Sequence, residues 1–221
     1  MYKIKTDGSE RTFVLDSQPF LSYDEDCVNY LFVNGDDVFF RCDGFTLYKY
    51  NCKTQQTKEI YWSAIQIEIN NGQMFLLGKD NTIFKMDLLD DKPQPFLVSN
   101  MEGNDKEKWT DIYKEFIFVD NVMYYYKRNP DGLYNYENGE SQLIDNTESI
   151  TDYGLIEYEH LLYYIVCEKD VNWMLKQYNP QTQSIKEIAT FNDYKNLSGT
   201  ISNDQFVYKN ESGETIKISI K

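Results

Sequence analysis

The segment Tyr50-Asn51-Cys52-Lys53-Thr54-Gln55-Gln56-Thr57-Lys58-Glu59-Ile60 returns as Tyr178-Asn179-Pro180-Gln181-Thr182-Gln183-Ser184-Ile185-Lys186-Glu187-Ile188. The two copies begin at residues 50 and 178, 128 residues apart. That distance is three steps of roughly 43 residues, the period of four-stranded propeller blades. The repeat constrains how the chain is built far more tightly than what it does.

Weaker echoes lie between the copies. A hydrophobic strand, an Asn/Asp/Gly turn, a second strand rich in Val, Phe and Tyr, another turn and two further strands recur in that order. Taking Val38, Met74, Met123, Leu162 and Phe206 as markers of the second strand, the steps are 36, 49, 39 and 44 residues. A ragged period of this kind fits strands joined by loops of varying length.

In register, the pattern predicts four complete blades: Val28 to Trp62, Ile65 to Val98, Lys114 to Ile144 and Leu155 to Ala189. Asn34-Gly35, Asp43-Gly44, Asn71-Gly72, Asp80-Asn81, Asp120-Asn121, Asp131-Gly132 and Asn138-Gly139 supply turns, because Asn, Asp and Gly tolerate the positive φ of tight hairpins. Two segments near the N-terminus, Tyr2–Lys5 and Thr12–Leu15, read as the outer part of a blade. Three more at the other end, Gly199–Ser202, Phe206–Lys209 and Thr215–Ile220, read as the inner part. Joining them would close a ring and remove strand edges that otherwise invite aggregation. The expectation is therefore an all-β single domain, residues 1–221, a β-propeller of about five four-stranded blades closed by strands from both termini. A fragment or a divergent, incompletely closed ring is the alternative.

Composition agrees, since 16% of the residues are aromatic, with 19 Tyr and 13 Phe, and such side chains suit a pleated, packed surface. The stretch from Met101 to Tyr113 is charged and lacks strand alternation, and reads as a long loop with a helical turn. No run approaches the ~18 apolar residues of a membrane span.

The segment Tyr2-Lys3-Ile4-Lys5-Thr6-Asp7-Gly8-Ser9-Glu10-Arg11-Thr12-Phe13-Val14-Leu15 resembles the Asp-Gly-Ser-x-Arg half of the YWTD-type repeat of low-density-lipoprotein-receptor propellers and of uncharacterised microbial propellers. Val122-Met123-Tyr124-Tyr125-Tyr126 is similar to the strand carrying that repeat's Tyr-Trp pair, although no Tyr-Trp-Thr-Asp tetrad occurs. Tyr178 to Thr182 is equally similar to kelch-type repeats, without their paired glycines. The resemblance implies a propeller and selects no ligand.

A formal net charge of −14 argues against nucleic acid as a ligand, because a polyanion is repelled and no Lys/Arg cluster opposes it. The same charge solubilises an aromatic-rich surface, or suits a basic partner. Cys27, Cys42, Cys52 and Cys167 form no metal-binding spacing, and His160 is the single histidine, so no cofactor or metal is expected. Free thiols, and an N-terminus lacking a basic-then-apolar pattern, favour a cytoplasmic location. The sequons at Asn196 and Asn210 point the other way.

His160 falls in the turn between first and second strands and reads as a solvated turn residue. Asp26, Glu115, Asp152 and Glu157 lie near the starts of first strands, where a sugar-cleaving propeller would place its acids, yet acids beside turns are ordinary surface charge. Trp62, Trp109 and Trp173 are the candidate binding residues, because exposed Trp is enriched at binding hot spots. Trp109 lies in the long charged insertion and Trp173 at a predicted turn. The function expected is a non-enzymatic protein-interaction or scaffold module, a subunit of a larger assembly. Carbohydrate binding is the alternative, and a glycoside-processing enzyme a lesser one.

Overall fold

The computed structural model describes residues 2–3, 12–13, 30–42, 45–98, 100–101, 109–110, 112–128, 130–147, 150–168, 172–191, 199–210 and 212–221. Every regular element among them is a β-strand. Strand β1 (Tyr2–Lys3) pairs with β2 (Thr12–Phe13). Blade 1 is β3 (Tyr30–Asn34), β4 (Asp37–Cys42), β5 (Thr46–Asn51) and β6 (Gln56–Tyr61). Blade 2 is β7 (Ala64–Asn70), β8 (Gln73–Gly78), β9 (Ile83–Asp87) and β10 (Gln94–Leu97). After the small pair β11 (Asn100–Met101) and β12 (Trp109–Thr110), blade 3 is β13 (Ile112–Val119), β14 (Val122–Arg128), β15 (Gly132–Glu137) and β16 (Glu140–Asp145). Blade 4 is β17 (Ile150–Tyr158), β18 (Leu161–Glu168), β19 (Asn172–Asn179) and β20 (Ser184–Phe191). Blade 5 has three strands, β21 (Thr200–Ser202), β22 (Gln205–Lys209) and β23 (Thr215–Ser219). Each blade is a meander whose strands neighbour one another in chain order, the blade architecture of the β-propeller class.

The chain divides into two compact units, residues 1–79 with 83–96 and residues 80–82 with 97–221. The first holds blade 1 and nearly all of blade 2; the second holds blades 3 to 5. The stretch expected as a loop with a helical turn pairs instead at its ends, Asn100 opposite Thr110 and Met101 opposite Trp109.

Two-residue turns at Asn71-Gly72, Asp120-Asn121, Asn138-Gly139, Glu159-His160 and Asn203-Asp204 all have positive φ at both positions. That geometry matches the right-handed twist of the flanking strands. Three expected turns shift. In blade 1 the pair Asn34–Asp37 closes on Gly35-Asp36, one residue later than expected. Cys42 pairs with Thr46, making a longer loop whose Asp43 and Gly44 lie outside the described residues. Gly132 is not a turn residue but the first residue of β15. A Cβ there would lie 2.6 Å from Leu143 Cδ1 and 3.0 Å from the Asp145 carbonyl oxygen, so close packing is what requires glycine.

The repeat that opens the sequence is a hairpin loop. Asn51 Oδ1 accepts the backbone N–H groups of Lys53 and Thr54, at 3.1 and 2.9 Å. Asn179 Oδ1 accepts those of Gln181 and Thr182, at 2.9 and 3.1 Å. Gln55 and Gln183 then take positive φ, 57° and 53°, to re-enter the fourth strand. The loop recurs because the Asn amide supplies turn hydrogen bonds that the backbone lacks there.

Second strands carry the core. In β18, Leu162, Tyr164 and Val166 join Val119, Tyr124, Tyr126 and Leu133 of blade 3, with Tyr178 of β19. The alternate residues Tyr163 and Ile165 join Phe206 and Tyr208 of blade 5. A strand buried on both faces reads as a continuous apolar run, which is why Leu161-Leu162-Tyr163-Tyr164-Ile165-Val166 shows no polar alternation. In the first unit, Phe39, Leu47 and Ile60 of blade 1 pack on Ala64, Ile67, Met74, Leu76 and Met86 of blade 2.

Candidate functional site

Glu115, named for chemistry by its residue type, proves to be a brace between blades. Glu115 sits on β13 where its pairing shifts register, and is buried at 7% exposure. Its Oε2 accepts the N–H of Gly154 at 2.8 Å and of Leu155 at 3.3 Å. Both donors lie at the bulge of β17, where the ladder to β18 is interrupted and backbone groups need another partner. Arg41 does the complementary work in the first unit. Its Nη1 donates to the carbonyls of Ala64 and Ile65, at 3.0 and 2.6 Å, at the bulge of β7.

His160 occupies the exposed Glu159-His160 turn, as its spacing predicts. Its Nδ1 lies 2.5 Å from Asp120 Oδ1 in the equivalent turn of blade 3, and its backbone N–H donates to Glu157 Oε1 at 3.1 Å. The hydrogen bond to Asp120 and that carboxylate's charge hold the imidazole above its ordinary pKa. Glu157 is thereby a turn-stabilising acid on the surface. Asp26 and the side chain of Asp152 lie outside the described residues. Among those described, no group of three or more His, Cys, Asp or Glu is arranged to hold a metal ion.

Cys52 and Cys167 are free thiols. Asn210 is buried, with Nδ2 donating to Glu214 Oε2 at 3.0 Å and Oδ1 accepting the Glu214 N–H at 2.8 Å. The second sequon is therefore occupied in closing the β22–β23 hairpin, while Asn196 lies outside the described residues.

The three candidate tryptophans fare differently. Trp173 is in strand β19 rather than at a turn, opposite Cys167 and Phe191, half-buried against the Phe191 and Phe206 cluster. Trp109 lies on β12, opposite Met101, and its side chain is outside the described residues. Trp62 stands in the β6–β7 turn with 70% of its surface exposed.

Trp62 has company that sequence reasoning did not find. The Lys79 ammonium sits 5.7 Å from the Trp62 ring centroid and 4.7 Å from that of Phe45. The sheet explains the meeting: Ala64 pairs with Gly78, and the Ala64 N–H donates to the Phe45 carbonyl at 2.8 Å. Trp62, Phe45 and Lys79 are thus drawn to one corner. Among the described residues Lys79 makes no ion pair, although the chain is strongly acidic. Next to Trp62, Ser63 is 4% exposed, has φ 88°, and its Oγ has no hydrogen-bond partner. No sequence signal marks Lys79, because register alone brings it opposite the turn.

A second feature lies on the β15–β16 hairpin of blade 3. A groove of about 510 Å³ is lined by Asn135, Glu137, Asn138, Glu140, Gln142 and Leu143, with Ser141. Glu137 pairs directly with Glu140, and Asn135 with Gln142. Pairs opposite one another share a face, so two carboxylates and two amides line up together. On β7, Glu68 is a further acid, not among those near the starts of first strands; burial pushes its carboxyl upward in pKa, opposed by a hydrogen bond with Gln66.

No protein-family model and no curated sequence matches the chain. Its likeness lies in structure. The extracellular domain of the one component system BT4673 from B. thetaiotaomicron aligns over 89% of this chain at 14% identity and a TM-score of 0.58. BamB from Moraxella catarrhalis aligns over 86% at 12% identity, TM-score 0.56, and an oligogalacturonate lyase in complex with manganese over 86% at 11% identity, TM-score 0.55. The chain spans 28%, 60% and 64% of the lengths of those three structures, respectively. At such identities the likeness carries the fold, an all-β propeller class that hosts unrelated functions. Among the described residues no helix is long and apolar enough to cross a membrane.

Proposed function

We propose that this chain is a non-enzymatic protein-interaction module, a subunit of a larger assembly, and that it docks through the corner formed by Trp62, Phe45 and Lys79. The observation that carries the reading is the exposed Trp62 ring beside an ammonium group with no carboxylate partner among the described residues. A large aromatic surface left in water, with an unpaired charge at its edge, is the composition of a binding hot spot. Lys79 resting over two rings keeps the Trp62 side chain in one place, which lowers the entropy cost of docking. The acids considered for sugar chemistry add support, because Glu115 is committed to backbone N–H groups and Glu157 to a turn.

The test is a tagged pull-down from the native source, run in parallel with wild type and Trp62→Ala. A stoichiometric partner retained by wild type and lost by the variant, at unchanged melting temperature, is the expected result. Equal recovery with both proteins would remove Trp62 from the interface. Recovery of the chain alone, with binding on a glycan panel, would transfer the assignment to carbohydrate recognition.

A further inference from the structure

We infer that the groove on the β15–β16 hairpin is a receptor site for a guanidinium group, the arginine side chain of a partner chain. The argument begins with an imbalance of hydrogen-bonding groups. Glu137 and Glu140 oppose one another across the last pair of the hairpin, and neither has a hydrogen-bond or ion-pair partner among the described residues. Like charges placed directly opposite in a sheet repel, so the hairpin holds an unfavourable contact that a cation would relieve.

In the first unit, carboxylates at strand ends are matched by donors from the strand opposite. In blade 1, Asp37 is bonded by the Asn51 amide at 2.6 Å and by Lys49 at 2.9 Å. In blade 2, Asp87 accepts from the Gln73 amide at 3.1 Å. At the β15–β16 hairpin the residue opposite the Glu137 carboxylate is instead a second carboxylate, Glu140.

An independent observation lies at the inner end of the groove. Asn135, two residues before Glu137 and on the same face, is 9% exposed, and its Oδ1 has no hydrogen-bond partner. An unmatched buried amide oxygen costs about 1–3 kcal/mol, so an external donor accounts for its presence. Two carboxylates and an amide oxygen in a row are all acceptors. The complementary ligand is cationic, planar and rich in donors, which describes guanidinium better than ammonium, because its fork reaches a carboxylate pair with parallel N–H groups. The exposed Leu143 beside the acids offers apolar surface for the methylene stem of the same side chain.

The inference rests on the protein-interaction reading for the source of the arginine, but its test does not. The isotope-labelled full chain is titrated with N-acetyl-arginine methylamide while the side-chain amides of Asn135 and Gln142 and the backbone amides of Asn138 and Gly139 are followed by NMR. The expected result is a saturable, localised shift that the citrulline analogue does not produce and that weakens at least fivefold in Glu137→Gln/Glu140→Gln. That double variant should melt no lower than wild type, since it removes a repulsion. Shifts scattered over the acidic surface, an equal response to citrulline, or unchanged affinity in the double variant would overturn the site. Tighter binding of free arginine than of the blocked form would overturn the partner-chain source. Failure here would leave the Trp62 pull-down result standing, and the reverse holds too.

Discussion

Glu115 on β13 and Leu155 on β17 belong to different blades, yet the Glu115 carboxylate accepts the Leu155 backbone N–H at 3.3 Å, alongside that of Gly154 at 2.8 Å. A charged acceptor shared by two buried donors is worth more than a surface ion pair. Replacing Glu115 by Ala should therefore cost about 3 kcal/mol, or roughly 6–12 °C in melting temperature for a chain of this size. Glu115→Gln, which keeps one acceptor, should cost less than half as much. A calorimetric scan that finds Glu115→Ala as stable as wild type would remove the bracing role.

The His160 to Asp120 contact should be visible as a titration. The folded imidazole is held above its ordinary pKa, so its stabilising contact is fully present below that ordinary value and is lost as pH rises through the raised one. The imidazole carbon protons of the single histidine should titrate above pH 6.5 in wild type and move back toward that value in Asp120→Asn. An identical midpoint in the two proteins would show that the contact is not populated in solution.

Glu68 has the same sign of pH dependence from a different cause. Burial raises its folded pKa above the unfolded value, so the folded chain binds the proton more tightly, and stability falls as pH rises through the window between the two. Glu68→Gln should stabilise the chain by up to about 1 kcal/mol at neutral pH. The gain should vanish in acid, below the unfolded pKa. Denaturant melts of both proteins at pH 3.5 and pH 7.5 measure it, and a gain that is the same at both values would refute the assignment.

Asn179 closes its hairpin through two side-chain to backbone hydrogen bonds. Asn179→Ala should lose about 1 kcal/mol, or roughly 2–4 °C, without affecting any binding. Asn179→Asp, which retains the acceptor oxygen, should recover most of it. If binding to a partner is abolished while the melting temperature holds, the repeat is a recognition element after all.

Local chemistry explains how much of this was legible beforehand. The strand order, the turn at Glu159-His160 and the paired Tyr-Asn-x-x-Thr loops follow from alternation and from side chains that bond their own backbone, and both act over a few residues. Placements that depended on local register slipped, at Asn34-Gly35 because the hairpin closes one residue later, and at Gly132 because a longer loop closes ahead of it, each with little change in local preference. Trp173 is expected at a turn, whereas the ladder from Cys167 to Phe191 runs through it.

Sequence alone determined an all-β chain of repeated four-stranded units, since period-2 and blade-length patterns are properties of consecutive residues. Only tertiary structure decided which polar residues are braces and which are left unmatched. Glu115 and Glu137 are the same residue type, each on a blade strand, but one meets the broken ladder of the next blade and the other meets another carboxylate. Glu140 lies three positions away, across the Asn138-Gly139 turn that local preference encodes, whereas Leu155 lies 40 positions away and is brought to Glu115 by bulges that local preference does not encode.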